Sequence, residues 1–486
     1  VSLLLALALL GAPADTIVVG VLADPVSLVP HRATDLVGEA VVVNACDTLV
    51  RFRPGVAHAD AGLALTWATS DNHRWTFTLR RAVRFHDGTP FDADAVVANI
   101  EDLRRERAFP GRAERLGSHV VAIDLEQPSA ALLATLSQPF FAMQSPRALA
   151  TGAGLPVCTG AFRVESALPG AVTLVANPDS WAGAPASGRV VFKRFASESA
   201  LVSALQAGQV DVSAAIGQDS IATLAADERV RLDSQTGLNI AFLSINNERE
   251  PWSLPRVRQA AARAVDRDAL VRDLLRGQAA PARNPLPPRL WGYSERTREL
   301  FLDRPTARRL LAEAGFPAGF DTTLLTVNSP RPPYMPDPLR LAERVAFDLA
   351  AVGIRCRIVT APSWPDYVAR GSRGDYDVML LGWQADTADP NDFLSALLGS
   401  PAIGTTNRSQ YSSPAMDALL KRGQMAADAE GRAAAYREAQ ALFQRDMPFV
   451  PLYHVSLFTA HRDDVHGLSL GPTGLMRLER VSRGEP

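Results

Sequence analysis

Four carboxylates and an indole crowd one short stretch, Tyr376 to Leu394, YDVMLLGWQADTADPNDFL, and three of the four follow the indole. Val378 to Leu381 is short and continuously apolar, the pattern of a buried strand. The run breaks at Gly382 into Trp383. Asp386, Asp389 and Asp392 follow, with Pro390 ending regular structure. A strand that delivers an aromatic plate and an acid to its own C-terminal end builds a ligand cleft in an α/β sheet. Asp389 and Asp392 flank a proline and fit a turn-former and a helix cap. Asp386, three residues past Trp383, is the acid left over for a ligand.

Catalytic apparatus is not evident. The chain has no G-x-S-x-G elbow, no H-E-x-x-H, no P-loop and no dinucleotide-binding glycine fingerprint. His461 and His466 bracket Asp463 and Asp464, but their spacing fits neither a helix face nor a strand face, so no metal is expected there. His86 and Asp87 are adjacent, yet they stand in an Asp-Gly turn and read as hairpin residues. Cys46, Cys158 and Cys356 allow at most one disulfide and lack metal-ligand spacing. No cofactor is expected, and the chemistry points to binding.

Composition narrows the partners. A formal net charge of −2 without a basic run argues against nucleic acid. Hydrophobic residues at 47% and charged ones at 21% describe a globular protein, and 486 residues exceed what one core holds. The opening VSLLLALALLGAPA is an apolar run ending in Ala12-Pro13-Ala14, which reads as the end of a secretory signal. It is too short for a bilayer span. No cysteine sits at the cleavage point, so the expected product is exported and not a lipoprotein.

The elements that would carry these residues follow in order. Asp15 to Val21 is a β-branched strand, and Glu39 to Val50 a helix. Arg74 to Leu79 alternates with period two, an Asp87-Gly88 turn follows, and Asp92 opens a helix. Glu198 to Ala207 is a helix stopped by Gly208. Asn239 to Asn246 is a strand, and Val257 to Leu270 one amphipathic helix whose arginines read as a solvated face. Asp321 to Val327, Pro338 to Val352 and Ile354 to Val359 alternate strand, helix, strand, the mark of a parallel α/β lobe. Arg432 to Asp446 is a late helix ending at Pro448.

These segments resemble family 5 of the extracellular solute-binding proteins of bacterial ABC importers, which contains the dipeptide- and oligopeptide-binding proteins. The G-W-x-x-D-x-x-D-P-x-x-F pattern is matched by Gly382, Trp383, Asp386, Asp389, Pro390 and Phe393. The L-A-x-x-W, W-x-F-x-L-R and F-H-D-G-x-P-F series is matched by Leu63, Trp67, Trp75, Phe77, Leu79, Arg80, Phe85, His86, Asp87, Gly88, Pro90 and Phe91. V-R-x-A-x-x-x-A-x-D-R is complete from Val257 to Arg267. In Pro156 to Val164, Cys158 stands for a family glycine and Ala161 for a proline, so no contact is carried over from that loop.

The resemblance implies an α/β, two-lobed periplasmic-binding-protein-like fold of the large cluster C type, with an extra subdomain and a hinge. Residues 1–14 would be the signal remnant; 15–45, 160–238 and 456–486 lobe I; 46–159 the extra subdomain; 239–455 lobe II. It implies a periplasmic, monomeric receptor, not an enzyme, that delivers short peptides to membrane permease subunits. Asp386 would receive the peptide's α-ammonium group and Trp383 would cover the peptide, with Gly382 in the same loop. Arg331 would receive the C-terminal carboxylate, although it lies one residue farther from Tyr334 than in the family's R-P-Y-N-P segment. The alternatives are the same fold holding a nickel chelate, haem, opine or oligosaccharide, or a periplasmic hydrolase.

Overall fold

The computed structural model describes residues 15–52, 56, 58–107, 109–152, 154–297, 301–328, 334–426, 428–471 and 473–484. The expected signal segment and Arg331 lie outside these residues. The described residues divide into two compact units, one of 15–52, 59–235 and 457–484, the other of 236–456 with 56 and 58.

In the first unit, Trp75, Phe77 and Leu79 of the strand Arg74–Leu79 are buried while Arg74 and Thr78 face water. That alternation makes the strand a central member of a four-stranded antiparallel sheet, flanked by Ala64–Thr69 and Val120–Leu125, with Gly111–Gly117 outermost. The helix Ala93–Arg107 packs against it through Val96, Ile100 and Leu103. A second sheet holds the first strand, Thr16–Val21, parallel to Arg189–Arg194. The hairpin Phe162–Leu168 and Ala171–Ala176 continues that sheet.

Where the chain passes between these two sheets it is fastened twice. Cys46 and Cys158 form a disulfide, Cα–Cα 4.9 Å. Beside it, Asp47 accepts from Arg51 at 2.6 Å, Trp181 Nε1 at 2.8 Å and Thr159 Oγ1 at 2.9 Å. Arg51 and the other donors hold the Asp47 carboxyl below the usual range against its burial. Gly160 is needed here because a Cβ would collide with the Ala45 carbonyl, to which its own N–H donates. His86 Nε2 bonds to the Gly160 carbonyl at 3.1 Å, and Asp87 accepts from Ser145 Oγ at 2.7 Å. The two are pins of the fold.

In the second unit, Phe320–Val327 runs parallel to both Ile354–Ala361 and Val378–Gln384. Asn239–Ile245 and the start of Phe449–Arg462 add to it antiparallel. The lobe is therefore a mixed sheet, parallel only in its three strands at one side. The expected helix 257–270 is also corrected. It runs Pro255–Ala264, turns extended at Val265, and restarts as Arg267–Ala269 under the Asp266 cap.

The arginines of that segment overturn the solvated-face reading. Arg258, 4% exposed, donates to the carbonyls of Trp252, Ser253, Asp446 and Met447. Arg267, also 4% exposed, donates to Pro451 and Ala262. A guanidinium offers five donors in a fixed fork, enough to tie several carbonyls of a distant segment into the core. Burial lowers both pKa values, to about 10, and leaves both charged. Among the described residues no helix is long and apolar enough to cross a membrane.

Candidate functional site

The strand Val378–Gln384 lies between a parallel and an antiparallel neighbour, so Val378 to Leu381 is buried on both faces. This is why its sequence is continuously apolar. At Gly382 the ring of Tyr334 packs so closely over the strand that a Cβ would overlap it, and would also crowd the Ile240 carbonyl. Gly382 thus serves the sheet by letting an aromatic ring approach the backbone. Burial raises the Tyr334 pKa.

Past the strand, nearly every group of the loop is tied down. Ala385 N–H donates to the Leu238 carbonyl at 2.9 Å, and Trp291 Nε1 donates to the Ala388 carbonyl at 2.9 Å. Asp389 is the N-cap of the helix Pro390–Leu398, accepting from Asn391 N–H at 2.9 Å. The same oxygen takes a 2.9 Å ion pair from Arg432, whose guanidinium lies over the rings of Trp291 and Tyr436 at 4.9 and 5.6 Å. Burial opposes the Arg432 charge, and Asp389 and Tyr436 together outweigh it, so the Arg432 pKa is raised.

Asp392 gathers the loop that follows the strand. Its Oδ1 accepts from Trp383 Nε1 at 3.1 Å. Its Oδ2 accepts from Asp386 N–H at 2.9 Å, Thr387 N–H at 2.8 Å and Thr387 Oγ1 at 3.1 Å. Burial and the neighbouring Asp386 charge nonetheless push its pKa up to about 6, against the pull of those donors. Asp386 differs from both acids. Among the described residues nothing donates to or pairs with its carboxylate. Its side chain is open to solvent, yet the protein atoms crowded around it displace enough water to raise its pKa.

The residues singled out from the sequence are thus placed unequally. Trp383 and Asp386 are brought to one loop by Asp392, and Gly382 stands just before them against Tyr334. Arg331 is outside the described residues. The turn and cap reading fits Asp389, whereas Asp392 holds the loop without capping its helix. Sequence reasoning gave Arg432 and Tyr334 no part in the loop. The signal that could have found Arg432 is the run of three acids with no basic residue among them, one of which, Asp389, takes its cation from far along the chain. His461 bonds to the Arg462 carbonyl and to Asp233, and no described group of three or more His, Cys, Asp or Glu is placed to hold a metal.

An unpaired acid beside an indole, on a loop braced from behind, is suited to accept a cationic group. The comparisons agree with a binding role. Residues 59–405 match the family model for bacterial extracellular solute-binding proteins, family 5 (middle). Heme-binding protein A of Haemophilus influenzae is 31% identical over 471 residues, 89% of this chain and 86% of that one. Di/tripeptide-binding protein 1 of Pseudomonas aeruginosa is 28% identical over 95% of this chain and 92% of its own length. The structure of HbpA2 from Haemophilus parasuis superposes with a TM-score of 0.91 at 27% identity, covering 97% of this chain and all of that one. Its relatives being substrate-binding receptors with the two-lobed periplasmic-binding-protein fold, this chain belongs to family 5 of the bacterial extracellular solute-binding proteins, the receptors of ABC importers.

Proposed function

We propose that this protein captures short peptides through their free amino end, in the periplasm, and hands them as a monomer to the permease subunits of an ABC importer. The observation that carries the reading is the Asp386 carboxylate, crowded by protein yet without a counter-ion among the described residues. A carboxylate in that position is stabilised by a cation brought from outside, and a peptide's α-ammonium group is one of matching size. Trp383, held by its indole N–H, offers an apolar wall to the residue behind that ammonium. A relative named for di- and tripeptides points the same way.

Calorimetric titration with a panel of di- and tripeptides tests this. Free-amino peptides should bind, and their N-acetylated counterparts should bind at least a hundredfold more weakly. The carboxylate is open to solvent in the free protein and becomes covered once the peptide sits on it. Asp386→Asn should therefore lose about 3 kcal/mol, the low end for stripping one partner from a covered charge pair, or about a hundredfold in affinity. Equal binding of acetylated and free peptides would remove Asp386 from this role. Saturable binding of haemin with no peptide bound would favour the second reading, for which the Haemophilus influenzae relative is named.

A further inference from the structure

Asp392 lies in no matched position of the family pattern, yet more of the ligand loop hangs on it than on any other side chain there. We propose that Asp392 is the positioning residue of the site: ionised, it holds the indole of Trp383 with one oxygen and the backbone of Asp386 and Thr387 with the other, and so aims the free Asp386 carboxylate. This rests on the reading of Asp386 as the acceptor of a ligand cation.

All four partners of Asp392 are donors: an indole N–H, two backbone N–H groups and, at Oδ2, the Thr387 hydroxyl. In a carboxylic acid the protonated oxygen accepts far more weakly than an anionic one, so proton uptake weakens part of the set. The loss falls most simply on Oδ1, which serves Trp383 alone. The groups around Asp392 make that proton available near neutrality. Asp386 is the charged neighbour on its own loop, and with burial it raises the pKa to about 6. Asp389 and Arg432, the latter from the helix Ala429–Asp446, are spent on each other. From the helix Pro414–Met425 the approach is by Gln424, which is uncharged and bonds Asn391 and Ser395. A ligand ammonium at Asp386 cancels the charge that opposes ionisation of Asp392. Ligand binding and proton release from Asp392 are therefore linked, and affinity rises with pH through this range.

The test is a pH titration, from 5 to 8, of the Trp383 indole N–H resonance in the ligand-free protein, assigned with Trp383→Phe. The wild type should titrate with a midpoint near pH 6, Asp386→Asn should move that midpoint lower, and Asp392→Asn should be flat. A flat wild type, or an Asp392→Asn protein that titrates unchanged, overturns the proposal. Affinity for Ala-Phe, measured in parallel, should fall about tenfold more between pH 7 and 5 in the wild type than in Asp392→Asn. An equal fall in both also overturns it. If Ala-Phe fails to bind at any pH, the peptide reading falls while the indole titration still decides whether Asp392 positions the loop.

Discussion

Removing the Arg432 guanidinium asks how the loop carrying Trp383 and Asp386 is held from behind. Asp389 is 2% exposed at its side chain and meets Arg432 at 2.9 Å. In Arg432→Met the carboxylate keeps its bond from Asn391 N–H but loses its counter-ion in a site closed to water. Breaking one side of a buried pair costs about 3–5 kcal/mol, because the remaining charge stays desolvated. The cation–π contact with Trp291 adds to the loss, and the methionine side chain restores part of the packing. Urea unfolding followed by tryptophan fluorescence should place Arg432→Met about 3–5 kcal/mol below the wild type. Asp389→Asn, which strands the cation instead, should also be destabilised. The double variant leaves neither charge buried, so its loss should be smaller than the sum of the single losses by at least about 1.5 kcal/mol. A single-variant loss under about 1 kcal/mol, or strict additivity, would refute the claim that this pair supports the loop.

Cys46 and Cys158 close a loop with a sequence separation of 112, which in the chain-entropy picture stabilises by about 5 kcal/mol. Cys158→Ser should lower the thermal midpoint to that of the protein kept in reductant, and thiol titration of unreduced, denatured wild type should find one thiol, that of Cys356, and not three. Gly382→Ala should cost about 1–3 kcal/mol and displace Tyr334, read as altered tyrosine fluorescence alongside a lower urea midpoint. The raised pKa of Asp392 gives a stability trend of definite sign. Its contribution is fully present below about pH 4, where the carboxyl is protonated folded or unfolded, and is lost as pH rises through about 6, up to roughly 3 kcal/mol. The stability of Asp392→Asn relative to wild type should therefore be higher at pH 7 than at pH 4, and the reverse trend would contradict the assignment.

What the sequence made legible follows from range. Arg74 to Leu79 and Val378 to Leu381 are readable because local period and run length state how many faces are buried. The Asp389 cap is readable because proline follows it. Arg258 and Arg267 mislead because their acceptors, near Asp446 and Pro451, lie far along the chain, and charge at helical spacing looks the same whether solvated or bonded to carbonyls. Apolar spacing continues past Val265 and so extends the expected helix, while the Asp266 cap restarts the count. The strand Phe449–Arg462 hides behind Pro448 and Pro451. Pro451 is tolerated where the register with Ala241 and Phe242 shifts, so its missing N–H falls at an irregularity of the ladder. Nor can three cysteines state their own pairing, since that depends on which loop folds back beside Ala45.

The three acids of the loop show how one side-chain type takes three roles through its surroundings alone. Asp389 meets a cation and an N-terminal helix amide, so it is satisfied internally and fixed. Asp392 meets only neutral donors in a buried place beside another carboxylate, so it is held but sensitive to protons. Asp386 gives its N–H to that arrangement and keeps its carboxylate free. Had the Arg432 guanidinium reached Asp386 in place of Asp389, the loop would be neutralised from within and would have no reason to take a cationic guest. In the proposed role, selectivity for a cationic guest would therefore reside as much in where the internal arginine is spent as in Asp386 itself.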